Sequence, residues 1–156
     1  MSLQPRGFID LPEHRGEGGF DHAAVHGPTE RLYVAHTAND SVDVVDLRTN
    51  RYIRSVSGLK GAAGVLVSEE RNVVFTSNRA EDTIGMFEPG RENELVKVKV
   101  GVHPNGLAFA PGHRLLLAAN VGDPNIPGST TISLIDTSAR AMVVDLAVPG
   151  RTRWAL

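Results

Sequence analysis

Apolar and polar residues alternate along much of this chain. Ser41-Val42-Asp43-Val44-Val45-Asp46-Leu47 and Thr131-Ile132-Ser133-Leu134-Ile135-Asp136 carry the two-residue period of half-buried strands. No stretch repeats apolar residues at the i, i+3, i+4 spacing of several amphipathic helices. Sixteen glycines and nine prolines punctuate the alternation at short intervals, cutting it into short strands with tight connections. The pattern predicts an all-β fold.

Laid on itself, the chain matches in three places. Arg31-Leu-Tyr-Val-Ala-His36 aligns with Asn72-Val-Val-Phe-Thr-Ser77, and that with Arg114-Leu-Leu-Leu-Ala-Ala119, in steps of 41 and 42 residues. A period of about 40–45 residues carrying four short strands is the length of one β-propeller blade. Each copy begins with a strand of small residues (Asp21 to Val25, Ala63 to Val67, Asn105 to Phe109). A turn, the aligned apolar strand and a polar loop follow. The third strand ends in an acid (Asp46, Glu88, Asp136), and a fourth strand closes the unit. Blade sheets converge on the central axis, so the innermost strand has least room and favours Ala and Gly.

The expected architecture is a partial β-propeller, with blades over residues 19–58, 59–101 and 102–148. Phe8-Ile9-Asp10-Leu11 resembles the fourth strand Val143-Val144-Asp145-Leu146 and is expected to be the outer strand of a closing blade. Residues 149–156 read as the first strand of an incomplete blade. Bare edges and an uncovered blade face predict self-association, or membership of a larger ring.

Composition narrows the function classes. Sixteen Lys and Arg against eighteen Asp and Glu give a net charge of -2, which predicts no nucleic-acid partner. Zero cysteines exclude a disulfide framework, Cys-ligated zinc and a thiol nucleophile. No apolar run approaches the roughly 18 residues a membrane helix needs, and no membrane partner is expected. Met1 to Gly7 lacks the apolar core of a signal peptide. A complete chain is therefore expected in the cytoplasm, and one from which an export signal was removed in the periplasm.

The candidate chemistry gathers at strand ends. His22 and His26 have an H-x-x-x-H spacing, but four residues of strand span about 13 Å, too far to share one metal ion. Asp21 and His22 open the first inner strand and read as residues of the channel mouth. Gly58, Gly61 and Gly64 superficially suggest a phosphate loop, yet no Lys-Ser/Thr ending and no helix follow. Asn39, Asn78 and Asn120 each follow the second strand of their blade by a few residues. Repetition predicts them on one face of the ring, either as turn residues or as a ring of amide oxygens suited to a hard cation or polar ligand. Arg151 and Arg153 flank the last strand and could receive an anion. His36, His103 and Asn105 complete the set expected to bind a ligand.

Leu32-Tyr33-Val34-Ala35, Val42-Asp43-Val44-Val45-Asp46 and the return Val100-Gly101-Val102-His103-Pro104 resemble the YVTN-type (YncE-like) propeller repeat family. The resemblance covers roughly residues 19–156, and it implies a propeller that binds a small polar ligand or protein partner without catalysis and without a cofactor. Pro104-Asn105-Gly106-Leu107-Ala108-Phe109 is also similar to a stretch of the gluconolactonase (senescence-marker) propellers. That similarity implies an alternative, a lactonase-like hydrolase. In it Asn78, Asn105 and Asn120 would hold calcium or another divalent cation that polarises a lactone carbonyl. The first-blade Glu of that family has no match in context, Asp21 and Glu17 being the nearest acids, and its later Asp would lie beyond Leu156.

Overall fold

A computed structural model describes residues 4, 5, 7–150 and 152. Turns interrupt the alternation so often that no strand exceeds seven residues. The strands form three separate antiparallel sheets, each ordered as the chain runs. The first sheet holds β1 (Phe20–His26), β2 (Arg31–His36), β3 (Ser41–Asp46) and β4 (Arg51–Ser57). The second holds β5 (Ala62–Ser68), β6 (Val73–Asn78), β7 (Thr83–Phe87) and β8 (Val96–Lys99). The third holds β9 (Pro104–Ala110), β10 (Leu115–Asn120), β11 (Thr131–Asp136) and β12 (Ala141–Ala147). The first strand of the second sheet, β5, packs against both β1 and β9, so the first strands lie innermost. This is the expected partial β-propeller of three blades.

Strands β2, β6 and β10 start at Arg31, Val73 and Leu115, two equal steps of 42 residues. The turn residues before them, Glu30, Asn72 and Arg114, share a left-handed backbone near φ +50°. The alignment of Arg31 with Asn72 is therefore corrected by one residue: Arg31 corresponds to Val73, and Glu30 to Asn72. A strand slip of one residue exchanges the two faces, so this register decides which side chains are equivalent. Tyr33 corresponds to Phe75 and Leu117, and His36 to Asn78 and Asn120.

Two cores lie between the blades. Tyr33, Val44 and Val56 of the first blade meet Val65, Val74 and Phe87 of the second. Phe75, Ile84 and Val98 on its other face meet Leu107, Leu116 and Ile135 of the third. Beyond the third blade the pattern continues without a cover among the described residues. Leu117, Ile132 and Leu134 are only partly buried there, although their counterparts in the first two blades are core residues. Leu146 is 49% exposed, against 6% for Val56 and 5% for Val98 at the same position. Residues 8–11, expected as an outer strand, make no ladder, and Phe8 is fully exposed. Arg151, Arg153 and most of the expected strand 149–156 lie outside the described residues.

Candidate functional site at the inner strands

Every inner strand carries the same irregularity. The β1–β2 ladder slips between Phe20 and Ala23, the β5–β6 ladder between Ala62 and Val65, and the β9–β10 ladder between Ala118 and Asn120. Two residues face one at each slip: Asp21-His22, Ala63-Gly64 and Asn105-Gly106. Bulges re-aim side chains and terminate regular pairing, which suits them to binding sites. Small residues are also required here. A Cβ on Gly64 would collide with the Asn105 carbonyl oxygen and lie 2.7 Å from Ser77 Oγ.

The bulges bring three of the predicted residues together. His22 Nδ1 lies 2.8 Å from Asp21 Oδ1 and 3.1 Å from the Ala63 carbonyl oxygen, linking the first blade to the second. Arg79, in the turn after β6, places Nη2 3.7 Å from Asp21 Oδ2 and donates to Asn105 Oδ1. The Gly64 N–H donates to Ser77 Oγ at 2.7 Å, and Ser77 in turn donates to the Asn105 carbonyl at 2.7 Å. A carboxylate, an imidazole, a guanidinium and an amide from three blades thus form one polar cluster. Arg79 Nε is buried and has no partner among the described residues. The Arg79 side chain as a whole is 42% exposed, so its guanidinium can meet an acceptor from solvent.

Arg79 was missed in the sequence because it follows β6 outside any repeated pattern. Its only signal is a cation one residue beyond Asn78, in the turn closest to the inner strands.

The remaining candidates do not join this cluster. Asn78, buried, accepts from Thr76 Oγ1 at 3.0 Å and donates to Thr83 Oγ1 at 2.9 Å. Asn120, also buried, donates to Thr131 and Ser133 Oγ atoms at 2.8 Å. His36, their counterpart, holds Asp43 Oδ2 with Nδ1 at 2.7 Å, and Ser55 donates to Asp43 Oδ1 at 2.6 Å. These three side chains stitch strands within their own blades. Asn39 belongs three residues later in its repeat and is not their equivalent. It accepts the Arg15 N–H at 2.8 Å and donates to the Glu13 carbonyl at 2.9 Å, tying down the segment before β1. His103 has a left-handed backbone; its N–H donates to Asp82 Oδ1 at 2.9 Å, and its ring lies 3.2 Å from the Gly122 carbonyl. His22 and His26 serve opposite ends of β1, His26 Nδ1 meeting Thr29 Oγ1 at 2.7 Å.

The cation set of the lactonase-like alternative is not assembled in this arrangement. Asn78, Asn105 and Asn120 do not converge: two are bound inside separate blades, and the Asn105 oxygen faces a guanidinium. A divalent ion at that oxygen would meet the positive charge of Arg79, which repels it. Among the described residues no three His, Asp or Glu side chains are grouped as a metal site.

No family model matches the chain, and no curated protein matches it. Among solved structures the chain is similar to Kuenenia stuttgartiensis hydrazine synthase, with a TM-score of 0.78 and 21% sequence identity. The similarity covers 95% of this chain and 42% of that one, so the chain spans less than half the length of this neighbour. A likeness at this identity establishes the architecture, and propellers host unrelated functions.

Proposed function

We propose that this chain is a non-catalytic binding propeller of YVTN type that takes a small polar ligand at the inner-strand cluster. One observation carries the reading: Asp21, His22 and Asn105 are gathered from three blades around the guanidinium of Arg79, a side chain 42% exposed to solvent. The cluster has cationic and neutral donors beside a single carboxylate, which suits a ligand bearing both acceptor oxygens and a donor group. No nucleophile with an adjacent base is part of it, so binding rather than turnover fits the side chains present.

The test is backbone and side-chain NMR of the chain titrated with a panel of amino acids, sugars and nucleosides. Saturable shifts centred on Asp21, His22, Arg79 and Asn105, lost in Arg79→Ala, are the expected result. A calcium-dependent rise in melting temperature that disappears in Asn105→Ala would overturn this reading in favour of the lactonase-like one.

The uncovered face of the third blade supports a second element of the reading: the chain works as part of a larger ring. Leu117, Ile132, Leu134 and Leu146 present a core-type surface to the place where another blade would pack. Exposed apolar faces of this kind drive association, and a second copy of the chain is the proposed cover.

A further inference from the structure

The two inter-blade spaces differ at the end of the molecule opposite the inner-strand cluster. Between the first and second blades, the connection from β7 to β8 carries a 3-10 turn, Glu92–Glu94, and drives Glu92 inward. Its buried carboxylate accepts from Arg31 Nη1 at 2.9 Å, Arg54 Nη2 at 2.5 Å, the Tyr33 hydroxyl at 3.3 Å and the Gly90 N–H at 2.9 Å. The Tyr33 and Phe87 rings lie 5.8 Å apart in the same core. The chain itself therefore fills this space with an acid held by two arginines over an aromatic floor.

Between the second and third blades the same space is an open cleft of about 300 Å³. The third blade joins β11 to β12 by the short turn 137–140, which supplies no plug. By the 42-residue register the clamp residues Arg31 and Tyr33 become Val73 and Phe75. Arg54, paired with Val44, becomes Val96, paired with Met86. All three replacements line the cleft, with Phe109 beside Phe75 at a ring separation of 4.8 Å. The floor has become apolar, while three arginines stand at the rim: Arg71, Arg114 and Arg140.

The opposing carboxylates at the rim, Glu88 and Glu94, lie 3.8 and 4.0 Å from Arg91. Arg71 is held by the Pro111 carbonyl at 2.8 Å and lies 3.6 Å from Glu70, and Arg114 donates to Ser138 Oγ at 3.2 Å. Arg140 makes no ion pair among the described residues. A cleft of this size suits a small molecule, with an apolar body on the floor and a few polar contacts at the edge.

The geometry points to a second binding site in this cleft, for a small aromatic carboxylate. The ring stacks against Phe109 and rests on Val73 and Val96, with the fully buried Phe75 behind them, and the carboxylate meets Arg114 and Arg140 at the rim. The ligand takes the place that Glu92 fills in the twin space, with its charge moved outward because the inner clamp is apolar.

The experiment titrates the full chain with phenylacetate and, separately, with neutral phenylacetamide, following the Val73 and Val96 methyl protons, the Phe109 ring protons and the Arg114 Nε–H by NMR. Phenylacetate is expected to saturate these signals, with phenylacetamide weaker by about tenfold, the loss of one charge-assisted contact. Arg114→Gln combined with Arg140→Gln should weaken phenylacetate to the level of the amide. Ser138→Trp, at an exposed rim position, should close the cleft and abolish both shifts while leaving the two cores untouched. Equal binding of acid and amide, binding unaffected by either variant, or no saturable shift at millimolar phenylacetate would each overturn the assignment. Shifts that centre on Asp21 and Arg79 instead would also overturn it and leave the inner-strand reading standing.

Discussion

At the scale of single residues, backbone economy at the bulges decides what the chain tolerates. Gly64 has an ordinary backbone angle, so conformational freedom is not the reason for it; the missing side chain is. The Asn105 carbonyl and Ser77 Oγ occupy the space a Cβ would need, and both are partners in the bond that ties the second blade to the third. Gly64→Ala is expected to lower stability by about 1–3 kcal/mol, the cost of overpacking a site that cannot yield. Chemical denaturation measures it, and an unchanged midpoint would mean that the blades separate more easily than this contact implies. Tyr33 illustrates the opposite case of a polar group well accommodated. Burial raises its phenol above the usual 10.0, so it remains a neutral donor to Glu92.

Among elements, the turns between third and fourth strands repeat a device with one exception. Asp46 accepts the N–H groups of Arg48 and Thr49 at 2.8 and 2.9 Å, and Asp136 accepts those of Ser138 and Ala139 at the same distances. These bonds, first to Thr49 and to Ala139, hold both carboxyls below the ordinary 3.8. A depressed carboxyl favours the folded state above pH 3.8, and that contribution disappears as pH falls through the lowered folded value. Asp46→Asn with Asp136→Asn should therefore flatten the acid limb of the stability–pH profile while leaving its slope above pH 5 unchanged. Thermal melts from about pH 2 to 7 check this, the window set by the usual carboxyl range; an unaltered acid limb would sink it. In the second blade the longer Glu88 stands in the same place and a 3-10 turn replaces the tight one. Such an element is invisible in an alternating pattern, and so were the space it plugs and the cleft left open in the twin position. The strands themselves were legible, because alternation and small inner residues reflect the layering that buries them. The polar cluster was legible in part. Asp21, His22 and Asn105 recur at one point of the repeat, whereas Arg79 reaches the cluster from a turn. The asparagines misled because all three lie close to the end of a second strand, although the counterpart of Asn78 in the first blade is His36 and Asn39 stands three residues further on.

For the whole molecule, the repeat is a statement about what must cover each blade. Two inter-blade cores are complete, and they are built from corresponding residues, 42 positions apart except for Phe87 and Ile135, which are 48 apart. The third blade offers the same residue types to no neighbour among the described residues. Leu146 at 49% exposure has counterparts at 6% and 5%, a difference created by position in the array rather than by chemistry. Burying one such leucine is worth roughly 1.5–3 kcal/mol, and Leu117, Ile132 and Leu134 share the face, so association has a substantial driving force. Repeat architectures ordinarily shield their terminal units with a polar cap, and among the described residues none covers this face. The chain is therefore expected to sediment as a dimer or larger species at micromolar concentration. Leu134→Lys with Leu146→Lys should shift it to monomer, because a charge in an apolar interface is costly to desolvate. These positions lie on the uncovered side and contribute to neither inter-blade core, so the melting transition of the monomer should persist. Sedimentation equilibrium on both forms settles the matter: a native chain that stays monomeric at every concentration would mean that the third blade is stable without a cover.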